Sequence, residues 1–249
     1  MSRAERAILL YLLAISAGAS DAWSFLGFGK VFVANMTGNT VLLGISFFLP
    51  HGNLPHPVVA RLNGIVHPAL ALGCYAVGAA IASYVTGKRG VRFQNVIWTR
   101  AVSKLLAFET VCMAGVECGW YARRMGGQVP VEALLALMAM CMGLQSGAML
   151  QLRVPGIVTT YITGTWTLMV LGLTRLVAGE RLGPRDSKEV YEARLAMQAV
   201  TLTVYLLSAV IAGWLFEEAP RMVGMLPVLC LATVSVWGFW RGGAYSVAE

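Results

Sequence analysis

Charged residues are scarce in this 249-residue chain and are missing from long stretches of it. Only 12% of the residues are charged, whereas 57% are hydrophobic, and a soluble domain carries roughly 25% charged residues. The uncharged stretches are 62–87, 133–152, 154–174, 195–216 and 222–240. A helix needs about 20 mostly apolar residues to cross a bilayer, and each stretch reaches or nearly reaches that length. The composition excludes a soluble protein and predicts an all-α integral membrane protein.

Signatures of other protein classes are missing as well. No segment alternates polar and apolar residues as a membrane-spanning strand does. The five cysteines form no CxxC pair, so they are expected to be small buried hydrophobes rather than metal ligands or disulfide partners. His51, His56 and His67 fit no helical ligand pair, and no nucleophile motif or catalytic cluster occurs. We therefore expect no metal, no cofactor and no enzymatic activity.

The net charge of +7 does not indicate a nucleic-acid partner. The basic residues lie between the hydrophobic runs and form no stripe, which is the pattern of Lys and Arg in cytoplasmic loops. The partners expected from the sequence are the lipid bilayer and a small-molecule or ion solute, with no nucleic acid.

Two stretches half the chain apart resemble one another in the order of their features. The recurring features are a glycine, a polar residue three positions later and a Thr-Gly pair: Gly18, Asp21 and Thr37-Gly38, then Gly143, Ser146 and Thr163-Gly164. Two further apolar runs follow in each half. The sequence thus predicts a single membrane domain, 1–249, made of two repeats, 7–122 and 130–241.

The basic residues help to decide how many of the eight apolar segments cross the membrane. If all eight cross with the N-terminus inside, the cluster from Lys88 to Lys104 falls outside. If the two Thr-Gly segments instead enter and leave on one side, most basic residues fall inside. The exceptions are Lys30, Arg61, Arg123, Arg124 and Arg221. The second arrangement obeys the positive-inside rule better.

This arrangement predicts an inverted repeat. Each half contributes three transmembrane helices plus one re-entrant or broken Thr-Gly helix, and an odd number of crossings inserts the second half upside down. Non-helical backbone at membrane depth survives only where protein or water satisfies its polar groups, as in many secondary transporters. Because each Thr-Gly segment is long enough to span, eight full spans in a 4+4 arrangement remain the alternative.

Asp21 is the first candidate for a functional residue, because it is an ionisable group within a membrane segment. Such a group costs about 2.5 to 3.5 kcal/mol on insertion scales. One interpretation is a carboxylate that couples transport to a proton. The other is a structural carboxylate, bonded to Ser16, Ser20 or Ser24 or capping a broken helix.

The segment around the first Thr-Gly pair is the second candidate. Gly27, Gly29 and Lys30 are expected to break the first helix, and a new helix is expected to begin near Asn35. Its amide donors would suit an anionic or carbonyl-bearing ligand; close helix packing is the alternative. The binding residues predicted for the two segments are Asn35, Thr37, Gly38 and Asn39, with Thr160, Thr163, Gly164 and Thr165 at the mirrored position.

Three further features involve buried polar or small residues. Gln145 lies near the position equivalent to Asp21 and is added to the predicted binding site. Glu109 is interpreted as a partner of Lys104 at the membrane surface, with a second carboxylate in a proton path as the alternative. Gly115–Gly119 and Gly143–Gly147 are small-xxx-small patterns that predict close helix contacts, including those of a homodimer.

The motifs resemble one family. The stretch Gly18–Asp21, the string Ala34-Asn35-Met36-Thr37-Gly38-Asn39 and the segment Thr160–Thr165 resemble the YoaK family of small bacterial membrane proteins. The resemblance covers nearly the whole chain. It implies about six spans and a bacterial inner membrane, and it supplies neither a substrate nor catalytic residues.

The leading hypothesis for function is transport of a small solute by a secondary transporter, proton-coupled through Asp21. A non-catalytic membrane scaffold or assembly partner is the alternative, and an intramembrane enzyme is favoured least. The expected location is the bacterial inner membrane, with both termini in the cytoplasm.

Overall fold

Long apolar stretches become helices in the computed structural model, which describes residues 3–48, 57–87, 98–151, 162–178 and 188–242. These residues contain eight helices and no strand. In chain order they are α1 (Arg3–Gly27), α2 (Met36–Ser46), α3 (Pro57–Gly87), α4 (Arg100–Arg124), α5 (Val131–Gln151), α6 (Ile162–Val177), α7 (Lys188–Glu218) and α8 (Met225–Gly242). The predicted all-α membrane fold is confirmed.

The break after the first helix lies where the glycines predict it. α1 ends at Gly27, and the chain turns through Gly29 and Lys30, whose φ angles are +91° and +63°. Left-handed backbone of this kind costs glycine little and terminates a helix. Asn35 then caps α2 by accepting a hydrogen bond from the Gly38 amide. The predicted new helix near Asn35 is confirmed.

Contacts between α1 and α8 define two ends of the bundle. Near the start of α1, Glu5 forms an ion pair with Arg241 of α8, 3.3 Å apart. Near the end of α1, Trp23 lies against Gly224, just before α8 begins. The two helices are therefore antiparallel. The end that holds the start of α1 is called the Glu5 end, and the opposite end is the Gly27 end.

α7 runs parallel to α1 and packs closely against it. Gly18 lies against the Tyr205 carbonyl, and Gly27 lies against the Phe216 ring. The residue numbers of the contacts therefore increase in the same direction along both helices. A Cβ atom at Gly18 would collide with the Tyr205 backbone, which explains why glycine is needed at this crossing.

α4 is also parallel to α1, because it is antiparallel to α8. Thr110 is hydrogen-bonded to Ser235 at 3.0 Å, and the Trp120 indole donates to the Pro220 carbonyl at 2.6 Å. α5 in turn is antiparallel to α4, since Gly119 contacts Leu134 early in α5.

α3 and α5 are parallel and cross at glycines. Gly143 lies against the Tyr75 backbone, and Gly147 lies against Ala79 and Ala82. The close contacts predicted for Gly143–Gly147 are confirmed. In the other pattern Gly119 packs against Leu134, whereas nothing lies within 4 Å of a Cβ placed at Gly115; a homodimer contact at Gly115 stays a prediction.

The contacts described above give the directions of six helices. α1, α4 and α7 run one way, and α3, α5 and α8 run the other. α2 is too short to span, because eleven residues extend about 16 Å and the hydrocarbon core is about 30 Å thick.

Four of the helices are long and apolar enough to cross a membrane. Within the described part of the chain these are Ala4–Gly27, Gly64–Thr86, Val131–Leu150 and Tyr191–Glu218, and Ile162–Val177 and Met225–Arg241 are shorter apolar helices. α4 carries Lys104, Glu109 and Glu117 but packs between α5 and α8. The chain is a polytopic membrane protein.

Candidate functional site

Asp21 of α1 is hydrogen-bonded to two other parts of the chain, the segment before α2 and helix α7. It is 4% exposed, and its Oδ1 accepts hydrogen bonds from the amides of Val33, Ala34 and Asn35 at 2.8, 2.7 and 3.4 Å. Its Oδ2 accepts one from the Tyr205 hydroxyl of α7 at 2.6 Å. Both carboxylate oxygens are thus occupied by donors. Charge-assisted bonds of this kind are among the strongest in proteins.

Two other side chains hold the same non-helical segment. Asn39, which is fully buried, accepts from the Phe32 amide at 2.9 Å and donates to the Phe32 carbonyl at 2.6 Å. The Ser24 hydroxyl donates to the Val31 carbonyl at 2.8 Å. Side chains thus bind the amides of residues 32–35 and the carbonyls of Val31 and Phe32, which offsets the burial of this non-helical backbone.

The non-helical segment 31–35 lies inside the bundle, where Val31, Val33 and Ala34 are buried. Asp21, which binds residues 33–35, is six residues before Gly27 and therefore roughly 9 Å below the end of α1. α2 then returns to the Gly27 end, where the Ser46 hydroxyl donates to the Gly64 carbonyl of α3 at 2.7 Å. That carbonyl lies about one turn from His67, whose Nε2 is 3.4 Å from Glu132 in the first turn of α5. α2 thus begins within the bundle and ends at the Gly27 end, where α1 also ends.

The residues predicted to bind a ligand at the start of α2 are only partly free. Asn35 and Thr37 are exposed, and Gly38 is half-buried under the Phe32 ring, where a Cβ atom would come within 2.9 Å of it. The amides of residues 33–35 are taken by Asp21, and the Gly38 amide by Asn35. The expected set of free amide donors for an anion is therefore occupied by the protein itself.

The second Thr-Gly segment is described only from Ile162 onward, so Thr160 lies outside the described residues. Thr163 and Gly164 are exposed in the first turn of α6, and Thr165 is 3% exposed. α6 is antiparallel to α7 and ends at the Glu5 end, where the Tyr191 hydroxyl donates to the Gly172 carbonyl at 3.0 Å.

Gln145 does not belong to the group around Asp21. Its Nε2 donates to the Leu13 carbonyl at 3.1 Å, and Leu13 lies about two turns from Asp21 along α1. The structure thus brings Asp21, Asn35 and Asn39 together and places Gln145 in a deeper layer.

Sequence reasoning missed one partner of Asp21. Tyr205 lies 184 residues from Asp21, and no local pattern indicates that contact. A bond from Asp21 to Ser16, Ser20 or Ser24 was one of the alternatives considered. In the structure Ser24 binds Val31, and the hydroxyls of Ser16 and Ser20 have no hydrogen-bond partner among the described residues.

The predicted pairing of Glu109 with Lys104 is wrong. Lys104 is exposed, whereas Glu109 is fully buried and neither of its carboxylate oxygens has a hydrogen-bond partner in the described part of the chain. The two residues are five apart, so they point to different sides of α4.

No group of three metal-binding side chains occurs in the ranges that the structure covers. His51 and His56 lie outside the described residues. His67 is 8% exposed and is bonded to Glu132.

Comparisons with known proteins agree with this architecture. A family model described as a protein of unknown function (DUF1275) matches residues 9–237. The chain is also 29% identical over 228 residues to the UPF0700 transmembrane protein YoaK of Bacillus subtilis (strain 168), covering 92% of each chain. No solved structure matches it. The match to the family model spans nearly the whole chain, and this membrane protein therefore belongs to the DUF1275 family.

Proposed function

We propose that this protein is a secondary transporter that carries a small polar solute across the bacterial inner membrane. The observation that carries the proposal is the non-helical segment 31–35, which Asp21 and Asn39 hold inside the bundle ahead of a short helix. Unwound backbone beside a half-helix at membrane depth is how many secondary transporters build a solute site. The proposal includes no catalytic step.

The packing of the helices supports an inverted repeat. An inverted repeat would relate α1 to α5, α2 to α6, α3 to α7 and α4 to α8. Under this exchange, the α1–α7 contact becomes α3–α5, the α4–α5 contact becomes α1–α8, and the α2–α3 contact becomes α6–α7. All of these contacts are present. Each exchanged pair of long helices also runs in opposite directions.

The exchange holds at the level of single residues. Gly18 lies against the backbone of Tyr205, and Gly143 lies against the backbone of Tyr75. In each case a repeat-start helix meets a tyrosine-bearing helix from the other half. Such an interlocked pair of repeats can alternate access by rocking about the central contacts.

The charge at the start of α2 favours a neutral or cationic solute. Asp21 already supplies a negative group to the positive end of this helix, so an anionic solute would meet a like charge there. Asn35 and Thr37 offer exposed polar groups on the first segment. Thr163 and Gly164 would offer the corresponding surface on the second segment, together with Thr160 and Thr165.

Further parts of the proposal concern topology and assembly. Six spans with both termini in the cytoplasm fit the observed helix directions and leave most basic residues inside. A homodimer is proposed as well. Proton coupling through Asp21 requires that this carboxylate take up a proton during the cycle, which at Oδ2 would break or reverse the hydrogen bond from Tyr205.

Solute binding can be tested on purified protein in detergent. Panels of neutral polar, cationic and anionic solutes are screened for an increase in Tm, and each solute that binds is then followed as it enters proteoliposomes. We expect neutral or cationic solutes to raise the Tm. Thr37→Val should weaken this effect, and Thr40→Val should not, since the Thr40 hydroxyl bonds only within α2.

The competing function is a membrane scaffold, and one observation favours it: Asp21 is fully bonded in the described conformation. Folded protein that admits none of the solutes into proteoliposomes would contradict transport and favour the scaffold. Binding of anionic solutes alone would contradict the solute class but not the transport function.

A further inference from the structure

Four polar side chains on α1, α4 and α5, called the polar layer, are fully buried. Ser16, Ser20, Glu109 and Gln145 are each 0% exposed. Among the described residues, five of their oxygens have no hydrogen-bond partner: Oγ of Ser16, Oγ of Ser20, Oε1 and Oε2 of Glu109, and Oε1 of Gln145. Buried polar atoms without a partner are rare in native proteins, and an ion or water is a common reason for them.

Hydrogen bonds join α5 to each of the other two helices near these residues. On α1, Leu13, Ser16 and Ser20 share one helix face, and the Leu13 carbonyl accepts a hydrogen bond from Gln145 of α5. One turn along α5, the Cys141 thiol lies 3.9 Å from the Glu109 carbonyl of α4. The four side chains therefore lie in the middle part of their helices, close to where α5 contacts α1 and α4.

No charged side chain offsets the carboxyl group among the described residues around it. The titratable groups that face Glu109 are two thiols, Cys112 on its own helix and Cys141 on α5. Towards α8 the neighbouring residue Thr110 meets Ser235, and towards α3 Leu105 meets Ala82. An ionised carboxylate alone in such surroundings is costly, so it needs a bound cation or a proton.

We propose that Glu109, Ser16, Ser20 and Gln145 form a binding site for a small monovalent cation, Na⁺ or H⁺. Carboxylate, hydroxyl and amide oxygens are the hard ligands that such ions prefer. The role of this layer as the coupling-ion site of a transporter rests on the proposed function. The binding of an ion by the layer does not depend on that function. Asp21 then has a structural role, because its carboxylate oxygens accept hydrogen bonds from the protein, whereas those of Glu109 accept none from the described residues.

A cavity of about 780 Å³ opens at the Gly27 end, lined by residues that include Trp120, Arg123 and Phe216. Beside it, the Trp120 ring packs edge-on against Trp23 and Phe28.

Ion binding can be measured without a solute. Purified full-length protein in detergent is titrated with NaCl against choline chloride at constant ionic strength, and separately with pH, while Tm is recorded. Glu109→Gln removes the charge and keeps the shape of the side chain. Ser16→Ala removes one ligand and leaves Glu109 in place. Glu117→Gln, on the same helix but with its carboxylate bonded to the Gly224 amide, is the matched control.

For a sodium site, saturating Na⁺ should raise the Tm of the wild-type protein and the Glu117→Gln variant by about 5 °C. Glu109→Gln should abolish this rise, and Ser16→Ala should increase the apparent Kd for Na⁺ about tenfold. For a proton site, Na⁺ has no effect on the Tm, and Glu109→Gln reduces the dependence of the Tm on pH.

The proposal is overturned if Glu109→Gln, folded as judged by its Tm, responds to Na⁺ and pH as the wild-type protein does. Because this readout requires no transport, ion binding with no solute uptake would contradict the transporter alone. Uptake of a solute by a protein that binds no ion would contradict the ion site alone.

Discussion

Two buried carboxylates meet opposite surroundings in this bundle. Asp21 accepts four hydrogen bonds, three from the backbone ahead of α2 and one from Tyr205. Glu109 accepts none from the described residues. The cost of burying an acid is thus offset by donors at Asp21, whereas at Glu109 it must be offset by an ion or a proton.

Removing the Asp21 carboxylate should destabilise the protein strongly. Asp21→Ala leaves the buried amides of Val33 and Ala34 without an acceptor, so we expect a loss of about 3 kcal/mol and a Tm lower by roughly 6 to 12 °C. Tyr205→Phe removes one bond and should cost about 1.5 kcal/mol. Tyr121→Phe, at an exposed tyrosine, serves as the control. Thermal unfolding in detergent measures all three.

A different result would restore the coupling role to Asp21. If Asp21→Asn keeps the wild-type Tm but loses proton-driven uptake, the carboxylate is needed for its charge rather than for its hydrogen bonds.

Helix crossings at glycine are the feature that matters at the scale of elements. A Cβ atom at Gly143 would collide with the Tyr75 carbonyl, and backbone cannot move aside as a side chain can. Gly143→Ala should therefore push α5 away from α3 and cost about 1 to 3 kcal/mol. Gly115→Ala meets open space and should be neutral or stabilising by up to about 1 kcal/mol. Equal Tm values for the two variants would contradict this packing.

The position of the non-helical segment 31–35 depends on Asn39. Asn39→Ala removes both hydrogen bonds to the Phe32 backbone, so residues 31–35 should leave the bundle more often. A cysteine placed at the buried Val33, in a background without the native cysteines, should then react several-fold faster with a water-soluble thiol reagent. Thr40→Ala should leave the rate unchanged. A rate unaffected by Asn39→Ala would mean that Asp21 and Ser24 suffice to hold the segment.

At the scale of the whole molecule, the helix directions place the α4–α5 turn and the N-terminus at opposite ends. Single cysteines at the exposed positions Ala4 and Gln128 test this. An impermeant reagent applied to intact bacteria should label Gln128→Cys and not Ala4→Cys, because the basic residues favour a cytoplasmic N-terminus. Labelling of Ala4→Cys alone would reverse the orientation, and labelling of both or neither would contradict the parallel arrangement of α1 and α4.

The sequence alone determined the class of protein, the helical segments and the local breaks. Uncharged stretches long enough to span predict membrane helices because the bilayer interior excludes charge. Gly27, Gly29 and Asn35 predict the end of α1 and the start of α2 because turn and cap preferences depend on neighbouring residues only.

Only the tertiary structure decided which polar groups meet. Tyr205 reaches Asp21 across 184 residues, and Glu109 turns into the core rather than towards Lys104. A hydrogen bond between distant helices depends on their direction, rotation and depth, none of which a local pattern fixes. The sequence therefore determined that acids lie within the membrane segments, and the packing of the helices decided that Asp21 is bonded and Glu109 is not.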